Sequence, residues 1–193
     1  MRTEPPGRAI FLVGPSSAGK TSLGRVLIDV LPDPFMFFET DRCGGLRGPS
    51  GRPELVTTAR EEVVTRGVAY AVRGYLDAGL DLVVEVGLWH RAARAMAAAV
   101  FAPYEAWLVG LGWELAELER RETQRSDGRF QGTARSQATP ADAWALPYDL
   151  VVDVVGNTPP VAAGEVVDWL ATRPVPRAIR RIAARAKPDE KDR

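Results

Sequence analysis

The fold is decided by one stretch of the chain, Gly14-Pro15-Ser16-Ser17-Ala18-Gly19-Lys20-Thr21. The apolar run Ala9-Ile10-Phe11-Leu12-Val13 precedes it, and Ser22-Leu23-Gly24-Arg25-Val26-Leu27-Ile28, which has helical spacing, follows it. Two glycines, a lysine and a threonine at these positions between a strand and a helix form the phosphate-binding pattern G-x-x-x-x-G-K-[ST]. An ordinary glycine-rich turn is the alternative interpretation. Because every fixed position is present in the expected context, the stretch predicts binding of ATP or GTP.

Each part of this loop suits the binding of a triphosphate. The glycines allow successive backbone N–H groups to point at an anion, and the positive end of the following helix lies behind them. Lys20 can reach the outer phosphates, and the hydroxyl of Thr21 can bind the Mg²⁺ ion that accompanies them. We therefore predict ATP and Mg²⁺ as the cofactors. The predicted nucleotide-binding residues of the loop are Gly14, Pro15, Ser16, Ser17, Ala18, Gly19, Lys20, Thr21 and Ser22.

The composition limits the classes of partner. The chain has 193 residues, of which 46% are hydrophobic and 26% charged, as expected for one soluble globular domain with a sizeable core. Its 25 lysines and arginines balance 25 aspartates and glutamates, so there is no global electrostatic reason to expect nucleic acid or an acidic membrane surface as a partner. We expect a nucleotide and a small hydroxylated substrate as partners, and the sequence leaves formation of a homo-oligomer open.

Cysteine and histidine are nearly absent. Cys43 is the single cysteine and His90 the single histidine, which excludes an intrachain disulfide and a cysteine-based zinc site. The first apolar run, at residues 9–13, is too short for a signal peptide or a membrane span. We therefore expect a cytoplasmic protein.

Strand and helix patterns alternate along the chain. This alternation predicts an α/β fold, a five-stranded parallel sheet with helices on both faces and right-handed crossovers, of the P-loop kinase-like type. The predicted strands lie at residues 9–13, 35–40, 80–86, 106–111 and 150–154. The first predicted helix begins near residue 20 and ends before Pro32. Further helices are predicted at residues 57–78, 90–100, 114–125, 140–145 and 161–171, and a loop is predicted at residues 126–135.

The predicted domain organisation is a single P-loop kinase-like domain at residues 1–173, with an arginine-bearing lid near residues 120–136 and a basic C-terminal tail at residues 174–193. Within the tail, Ile179, Ile182, Ala183 and Ala186 share one helical face. A helix that binds a membrane surface or a partner, a helix docked on the domain, and a solvated tail are the three alternatives.

Two acidic residues follow or end strands at the edge where ligands of such sheets bind. Asp41 comes directly after the second strand, where a base could accept the proton of an acceptor hydroxyl; a turn-forming carboxylate is the alternative. Glu85 ends the apolar run Leu82-Val83-Val84, where it could hold Mg²⁺, often through water, or simply mark the solvent edge. We predict Asp41 as the catalytic base and Glu85, with Thr21, as the metal site.

Three arginines surround a glycine loop later in the chain. Arg121 and Arg125 are four residues apart on one predicted helix, and Arg129 follows in the loop. Arginine forks match phosphate oxygens, and a lid that closes over the nucleotide excludes water from the transfer. A solvated helix is the alternative, and Arg121 could instead pair with Glu117. We predict all three as nucleotide-binding residues and Arg121 and Arg125, with Lys20, as catalytic.

The acceptor substrate is expected near the loop after Asp41. Arg42, Arg47 and Arg52 could recognise an anionic group there or be solvated, and the sequence does not decide between these alternatives. Trp89 could line the same pocket or belong to the core. His90 is equally well explained as a residue at the start of a helix. The predicted substrate residues are Asp41, Arg42, Arg47, Arg52 and Trp89.

These features together resemble the chloramphenicol phosphotransferase family of P-loop kinases. The resemblance rests on the loop at residues 14–21, on Leu31-Pro32-Asp33-Pro34-Phe35 leading to Asp41, on Arg121-Glu122-Thr123-Gln124-Arg125-Ser126-Asp127 and on Tyr148-Asp149-Leu150-Val151-Val152-Asp153. It extends from about Arg8 to Leu170. It implies ATP-dependent phosphorylation of a hydroxyl on an antibiotic-like small molecule, with the proposed base of the family at Asp41 and lid arginines at Arg121, Arg125 and Arg129.

The sequence departs from the family pattern in two places. The family tends to have paired acids at the end of the third strand, whereas here Glu85 is followed by Val86. The loop at residues 42–49 is polar and contains arginine, where the family has a more apolar stretch. The second departure leaves open a kinase for another metabolite, such as a sugar, nucleoside or sugar-nucleotide. A nucleotide-binding regulatory protein without acceptor chemistry is the remaining alternative.

Overall fold

The computed structural model describes residues 5–40, 58–88, 91–125, 131–139 and 144–186. The five strands are β1 (Ala9–Val13), β2 (Met36–Glu39), β3 (Leu82–Val86), β4 (Ala106–Gly112) and β5 (Leu150–Asp153). The helices are α1 (Lys20–Val30), α2 (Thr58–Asp77), α3 (Arg91–Phe101), α4 (Leu115–Thr123), α5 (Thr133–Ala138), α6 (Pro159–Ala171) and α7 (Ala178–Ala186).

The strands form one parallel sheet in the order β2-β3-β1-β4-β5, which confirms the predicted fold class. β1 lies at the centre, and all five of its residues are buried. Parallel strands covered on both faces are continuously apolar, which is why the sequence Ala9-Ile10-Phe11-Leu12-Val13 does not alternate with polar residues. The central position of β1 places the phosphate-binding loop in the middle of the carboxyl edge of the sheet.

The two faces of the sheet contribute to two hydrophobic cores. Successive side chains of a strand point to opposite faces. Phe11 and Val13 therefore belong to the core formed with α2, α3 and α7, whereas Ile10 and Leu12 belong to the core formed with α1 and α6. α1 lies so close to the sheet that a Cβ atom on Gly24 would come within 2.3 Å of the Phe37 ring. This close packing fixes α1, and with it the residues at its N-terminus.

The region after α4 differs from the sequence-based prediction. A loop was expected through residue 135, but α5 already begins at Thr133. The reason is a long-range cap: the buried carboxylate of Glu122 accepts hydrogen bonds from the backbone N–H groups of Gly132 (2.8 Å) and Ala134 (2.9 Å). These bonds satisfy donors at the start of a helix. The helix predicted at residues 140–145 lies mostly outside the described residues.

The segment at residues 174–186 packs against the rest of the domain. Ile179 and Ile182 of α7 are buried in the core that contains α3. The carboxylate of Asp149 accepts hydrogen bonds from the backbone N–H groups of Arg177 (2.8 Å) and Ala178 (3.0 Å) at the start of this helix. Of the three alternatives for this segment, the structure shows the docked helix. The domain boundary at residue 173 stays a prediction.

Over the ranges that the structure describes, none of the helices has the length and apolar character needed to cross a membrane.

Candidate active site

A cleft of about 340 Å³ lies at the carboxyl edge of the sheet. It extends from Glu85 on β3, past the loop that follows β1, to the loop that follows β5. Ligands of doubly wound sheets bind at this edge. The cleft is lined by Ser16, Ser17, Gly19, Lys20, Thr21, Ser22, Leu23, Glu85, Arg121, Arg125, Val154, Asn157 and Pro159.

Two residues of the phosphate-binding loop have positive φ angles, which glycine adopts more easily than other residues. Gly19, directly before α1, has a φ angle of 98°, and Ser17 has a φ angle of 66°. Glycine accepts such an angle because it lacks a Cβ atom, which explains the glycine before the lysine. Alternation of right- and left-handed residues turns consecutive N–H groups toward one concave surface, which suits an anion.

Lys20 extends back over the loop from the first turn of α1. Its ammonium group donates hydrogen bonds to the carbonyl oxygens of Gly14 (2.8 Å) and Pro15 (2.9 Å). The positive charge therefore lies at the start of the loop rather than in solvent. An ammonium group is a compact charge with three donors, so phosphate oxygens can bind to it at this position.

Thr21 and Glu85 meet where α1 faces β3. The Thr21 hydroxyl donates a hydrogen bond of 2.7 Å to Oε2 of Glu85, whose side chain is 2% exposed. Mg²⁺ in phosphate sites binds hard oxygen ligands, usually one or two protein groups together with phosphate oxygens. A hydroxyl and a carboxylate beside a phosphate-binding loop fit that donor set. Among the described residues no cluster of three or more His, Cys, Asp or Glu could hold a metal ion without such phosphates.

An ion pair that sequence reasoning missed lies one helical turn further along α1. Arg25 binds both carboxylate oxygens of Glu39, at 3.1 and 3.2 Å. Glu39 and Glu85 are register partners on β2 and β3. Thr21 and Arg25 are four residues apart and so project from the same face of α1. The guanidinium of Arg25 therefore compensates a second acid beside Glu85.

The guanidinium group of Arg121 donates hydrogen bonds to three acceptors. Its Nε donates to Glu117 (2.7 Å), its Nη2 to the carbonyl of Val154 (2.7 Å) and its Nη1 to the carbonyl of Ala18 (3.4 Å). The pairing with Glu117, which was the alternative to a nucleotide-binding role, is thus present, and Arg121 also lines the cleft. The guanidinium connects the phosphate-binding loop with the loop after β5. This connection makes it a fixed planar wall of the cleft.

Hydrogen bonds from Arg120 and Arg121 lower the pKa of the Glu117 carboxyl from 4.5 to about 2. Glu117 is therefore ionised at neutral pH and accepts from both arginines. Arg120 adds two bonds of 2.7 Å but does not line the cleft.

Arg125 approaches the phosphate-binding loop directly. Its Nη1 lies 3.2 Å from the Ser17 hydroxyl oxygen and 3.4 Å from that of Ser16. Hydroxyl oxygens are weak acceptors for a cation compared with phosphate oxygens, which form charge-assisted and often bidentate bonds with arginine. The structure thus brings Arg125, like Arg121, against the loop, and the nucleotide-binding role of both arginines stays a prediction.

Sequence reasoning missed a further contact of the loop. The carboxamide oxygen of Gln137 on α5 accepts the Ser16 backbone N–H at 2.7 Å. The Trp144 indole in turn donates to the Gln137 carbonyl at 2.8 Å. Together with the Glu122 cap, these bonds join α4, α5 and the phosphate-binding loop. Local sequence patterns cannot predict a contact between residues that are 121 positions apart.

Several predicted site residues lie outside the described residues. They are the proposed base Asp41, the acceptor-loop residues Arg42, Arg47 and Arg52, the aromatic Trp89 and the third lid residue Arg129. Their roles stay predictions. The structure brings together Lys20, Thr21, Glu85, Arg121 and Arg125 around one cleft.

Comparison with known proteins identifies the family. The model of the chloramphenicol phosphotransferase-like protein family matches residues 7–171, and the chain belongs to this family. This match confirms the resemblance found in the sequence. Two relatives from two strains of Mycobacterium tuberculosis, each named "Putative O-phosphotransferase", are 29% identical to the chain over 204 residues. Each match covers 94% of this chain and 90% of the relative.

Solved structures of P-loop kinases share the fold. An APS kinase from Mycobacterium tuberculosis has a TM-score of 0.65 at 20% identity, and the match covers 87% of this chain and 99% of the kinase. A shikimate kinase from Acinetobacter baumannii has a TM-score of 0.62 at 16% identity, with 88% of this chain and 96% of the kinase covered. The family and the fold together identify the chain as a member of a kinase and O-phosphotransferase family.

Proposed function

We propose that this protein transfers the γ-phosphoryl group of ATP to a hydroxyl group of a small molecule, with a chloramphenicol-like antibiotic as the first acceptor to test. The main support is the position of Arg125, on the lid side of the cleft, against the loop that holds Lys20. A binding protein needs the loop, but a cation facing it from a second element is the arrangement that phosphoryl transfer uses.

Different residues of the cleft would bind different parts of the triphosphate. The loop amides and Lys20 bind the phosphates, and Arg125 binds the side of the phosphates that faces the lid. Charge spreads over the oxygens of the transferred group during reaction, so fixed cations stabilise the transition state more than the ground state. These residues therefore serve both binding and rate.

Thr21 and Glu85 would hold Mg²⁺. When bound, this ion would neutralise part of the charge of the phosphates. For binding, the Thr21 hydroxyl has to turn its oxygen lone pairs to the ion, while Glu85 stays close by because β3 and α1 fix both residues. An APS kinase structure with the same fold contains the ATP analogue AMPPNP, which supports ATP as the donor.

The acceptor hydroxyl would be deprotonated by Asp41. In the transfer, the hydroxyl oxygen forms a bond to the γ-phosphorus, the bond between that phosphorus and the β–γ bridging oxygen breaks, and ADP leaves. The hydroxyl proton passes to the Asp41 carboxylate. The position of Asp41 two residues after Glu39, the last residue of β2, supports this role.

A kinase for an anionic metabolite is the second candidate. The sequence places Arg42, Arg47 and Arg52 within eleven residues after Asp41, and guanidinium groups bind carboxylates and phosphates bidentately. The APS kinase and the shikimate kinase described above were solved with APS and with shikimate, respectively, both of them anionic molecules.

The decisive experiment is incubation with Mg·ATP and chloramphenicol, followed by mass spectrometry for a product heavier by one phosphoryl group. The Lys20→Ala variant is the control, since it removes the ammonium group from the loop. A phosphorylated drug supports the first candidate. Phosphorylation only of hydroxylated carboxylates, phosphates or sulfates supports the second. Slow ATP hydrolysis that no acceptor accelerates would contradict both and would favour a regulatory nucleotide-binding protein.

A further inference from the structure

The backbone N–H of Ser16 points out of the phosphate-binding loop. The peptide bond between Pro15 and Ser16 is trans, as are all peptide bonds within the described ranges, so its N–H and its C=O point in opposite directions. The Pro15 carbonyl oxygen accepts hydrogen bonds from the Ala18 N–H (3.3 Å) and from the Lys20 ammonium group (2.9 Å). The Ser16 N–H is therefore directed away from Ala18 and Lys20.

The side chain of Gln137 on α5 holds this outward N–H group. Its Oε1 accepts the hydrogen bond at 2.7 Å, and because an N–H group only donates, the oxygen rather than the nitrogen of the carboxamide must face Ser16. Ser16 is 7% exposed, and a buried N–H group without an acceptor is costly. Without Gln137, the peptide between Pro15 and Ser16 would gain by rotating toward another acceptor, which would take the Pro15 carbonyl away from Lys20.

Gln137 is itself fixed by contacts that do not involve the loop. The Trp144 indole donates a hydrogen bond of 2.8 Å to the Gln137 carbonyl oxygen, and its ring packs edge-to-face on Trp113, with the ring centroids 6.2 Å apart. The carboxylate of Glu122 caps the start of α5. These contacts hold Gln137 in place, so it can constrain the loop rather than follow it.

The position of the Lys20 charge depends on the same peptide group. The ammonium group donates to the carbonyl oxygens of Gly14 and Pro15, which fix two of its three donor directions. A long, flexible side chain that is held before a ligand binds loses less conformational entropy on binding. The orientation of the Pro15 carbonyl therefore determines how well Lys20 is prepared for phosphate.

We propose that Gln137 is a positioning residue for Lys20. By accepting the Ser16 N–H, it fixes the plane of the preceding peptide, and the carbonyl oxygen of that peptide holds the ammonium group at the start of the loop. α5 thereby sets the position of the lysine charge through two hydrogen bonds on opposite sides of one peptide group. The consequence for nucleotide binding rests on the proposed function, whereas the constraint on Lys20 does not.

Chemical labelling measures the constraint on Lys20. The chain has three lysines, Lys20, Lys187 and Lys191, and cleavage after arginine releases residues 9–25 with Lys20 as the single lysine. The full chain without nucleotide is treated briefly with acetic anhydride, and mass spectrometry gives the acetylation rate of Lys20 relative to the other two lysines. Gln137→Leu keeps the approximate size of the side chain but has no acceptor. We expect it to raise the relative rate at Lys20 roughly three- to tenfold, because a bond that holds the ammonium group is released.

Two further variants separate the hydrogen bond from the packing of α5. Gln137→Glu keeps an acceptor, and because a carboxylate only accepts, it can hold only the observed orientation of the Ser16 N–H. Its relative rate at Lys20 should stay within about twofold of the unaltered chain. Ser136→Ala is the matched control and should not change the rate, since Ser136 is exposed on α5 and its hydroxyl donates within the helix to the Thr133 carbonyl. Thermal unfolding verifies that each variant is folded.

Isothermal titration calorimetry with Mg·AMPPNP measures the consequence for the nucleotide. We expect Gln137→Leu to raise the dissociation constant roughly 5- to 50-fold, because the peptide and the ammonium group must be reordered before phosphates bind. Ser136→Ala should keep the value of the unaltered chain.

The outcomes separate this inference from the proposed function. Unchanged labelling of Lys20 in Gln137→Leu would overturn the inference, and so would an equal increase in Gln137→Glu, which would attribute the effect to packing of α5. An unchanged dissociation constant in Gln137→Leu would overturn the role of Gln137 in the nucleotide site. Failure of the unaltered chain to bind Mg·AMPPNP would overturn the proposed function, and the labelling would still decide whether Gln137 positions Lys20.

Discussion

The Thr21 hydroxyl donates a 2.7 Å hydrogen bond to the buried carboxylate of Glu85, which joins the first turn of α1 to the end of β3. The two residues are 64 positions apart in the chain, and neither could bind a metal ion alone with the geometry that Mg²⁺ requires. Their contact is made by the packing of α1 on the sheet. It places a hydroxyl and a carboxylate next to the backbone amides of the loop at residues 14–21.

Replacement of Glu85 should therefore weaken the response to magnesium. In Glu85→Gln we expect the Mg²⁺ concentration needed for half-maximal binding of AMPPNP to rise roughly 10- to 100-fold, because a charged oxygen beside the ion is lost. Titration with Mg²⁺ at fixed nucleotide measures this. Glu105→Gln, an exposed acid just before β4, is the control. An unchanged magnesium dependence would rule out a role of Glu85 at the metal.

The two lid arginines should differ in their kinetic effects. Arg125 faces the loop hydroxyls, so Arg125→Ala should lower kcat for phosphoryl transfer roughly 10²- to 10³-fold, as expected for loss of a charge that stabilises the transition state. Arg121 is fixed as a wall of the cleft, so Arg121→Lys should mainly raise KM for ATP. Steady-state kinetics at varied ATP separate these effects.

Arg120→Lys is the matched control for both arginines. Arg120 shares α4 and the partner Glu117 with Arg121 but does not line the cleft, so this variant should keep normal kcat and KM. Equal losses of kcat in the Arg121 and Arg125 variants would contradict the proposed division between binding and rate.

Asp41→Asn tests the proposed base. The substitution keeps size but removes proton affinity, so turnover should fall roughly 10²- to 10⁴-fold while affinity for Mg·AMPPNP is unchanged. Asp33→Asn is the control, because Asp33 precedes β2 and forms an exposed ion pair with Arg8. Normal turnover in the Asp41 variant would show that another group accepts the proton.

Because α7 packs into the core, we expect a substitution of one of its buried residues to lower stability strongly. Ile182 is 8% exposed in the core shared with α3, so Ile182→Ala should lower the free energy of unfolding by roughly 2–5 kcal/mol. The neighbouring Arg181 is exposed, and Arg181→Ala should change it by less than about 0.5 kcal/mol. Denaturant titration measures both values. A similar small effect in the two variants would mean that α7 contributes little to the cooperative core.

Because the Tyr148 hydroxyl is largely buried, we expect it to make the free energy of unfolding depend on pH in the alkaline range. Burial raises the pKa of its hydroxyl from 10.0 to about 12. The unfolded chain therefore loses this proton first as pH rises, and the stability due to the neutral hydroxyl is complete below pH 10 and declines between about pH 10 and 12. Tyr148→Phe should decline less steeply over this range in denaturant titrations. Tyr70→Phe, on an exposed part of α2, should follow the unaltered chain.

The order of strands and helices along the chain is predictable from the sequence because it depends on local patterns. The strand at residues 9–13 was predicted with the bounds observed, since a continuous apolar run followed by a phosphate-binding motif has few alternatives. The other strand bounds differ by one or two residues, as at β3, where the run Leu80–Val86 begins with an exposed leucine outside the strand. α5 begins inside the loop that the sequence predicts at residues 126–135, because Glu122, distant in the chain, provides the cap of the helix.

The sequence by itself determined the class of fold, and it predicted a nucleotide site at residues that the structure places around one cleft: Lys20, Thr21, Glu85, Arg121 and Arg125. It could do so because carboxyl ends of parallel strands meet at one edge, so the order of strands and loops is enough. Only the tertiary structure decided the partners of these side chains: Arg121 with Val154, Ser16 with Gln137 and Asn157 with Glu165. Such contacts depend on distances and directions between packed elements, which have no signature in local sequence.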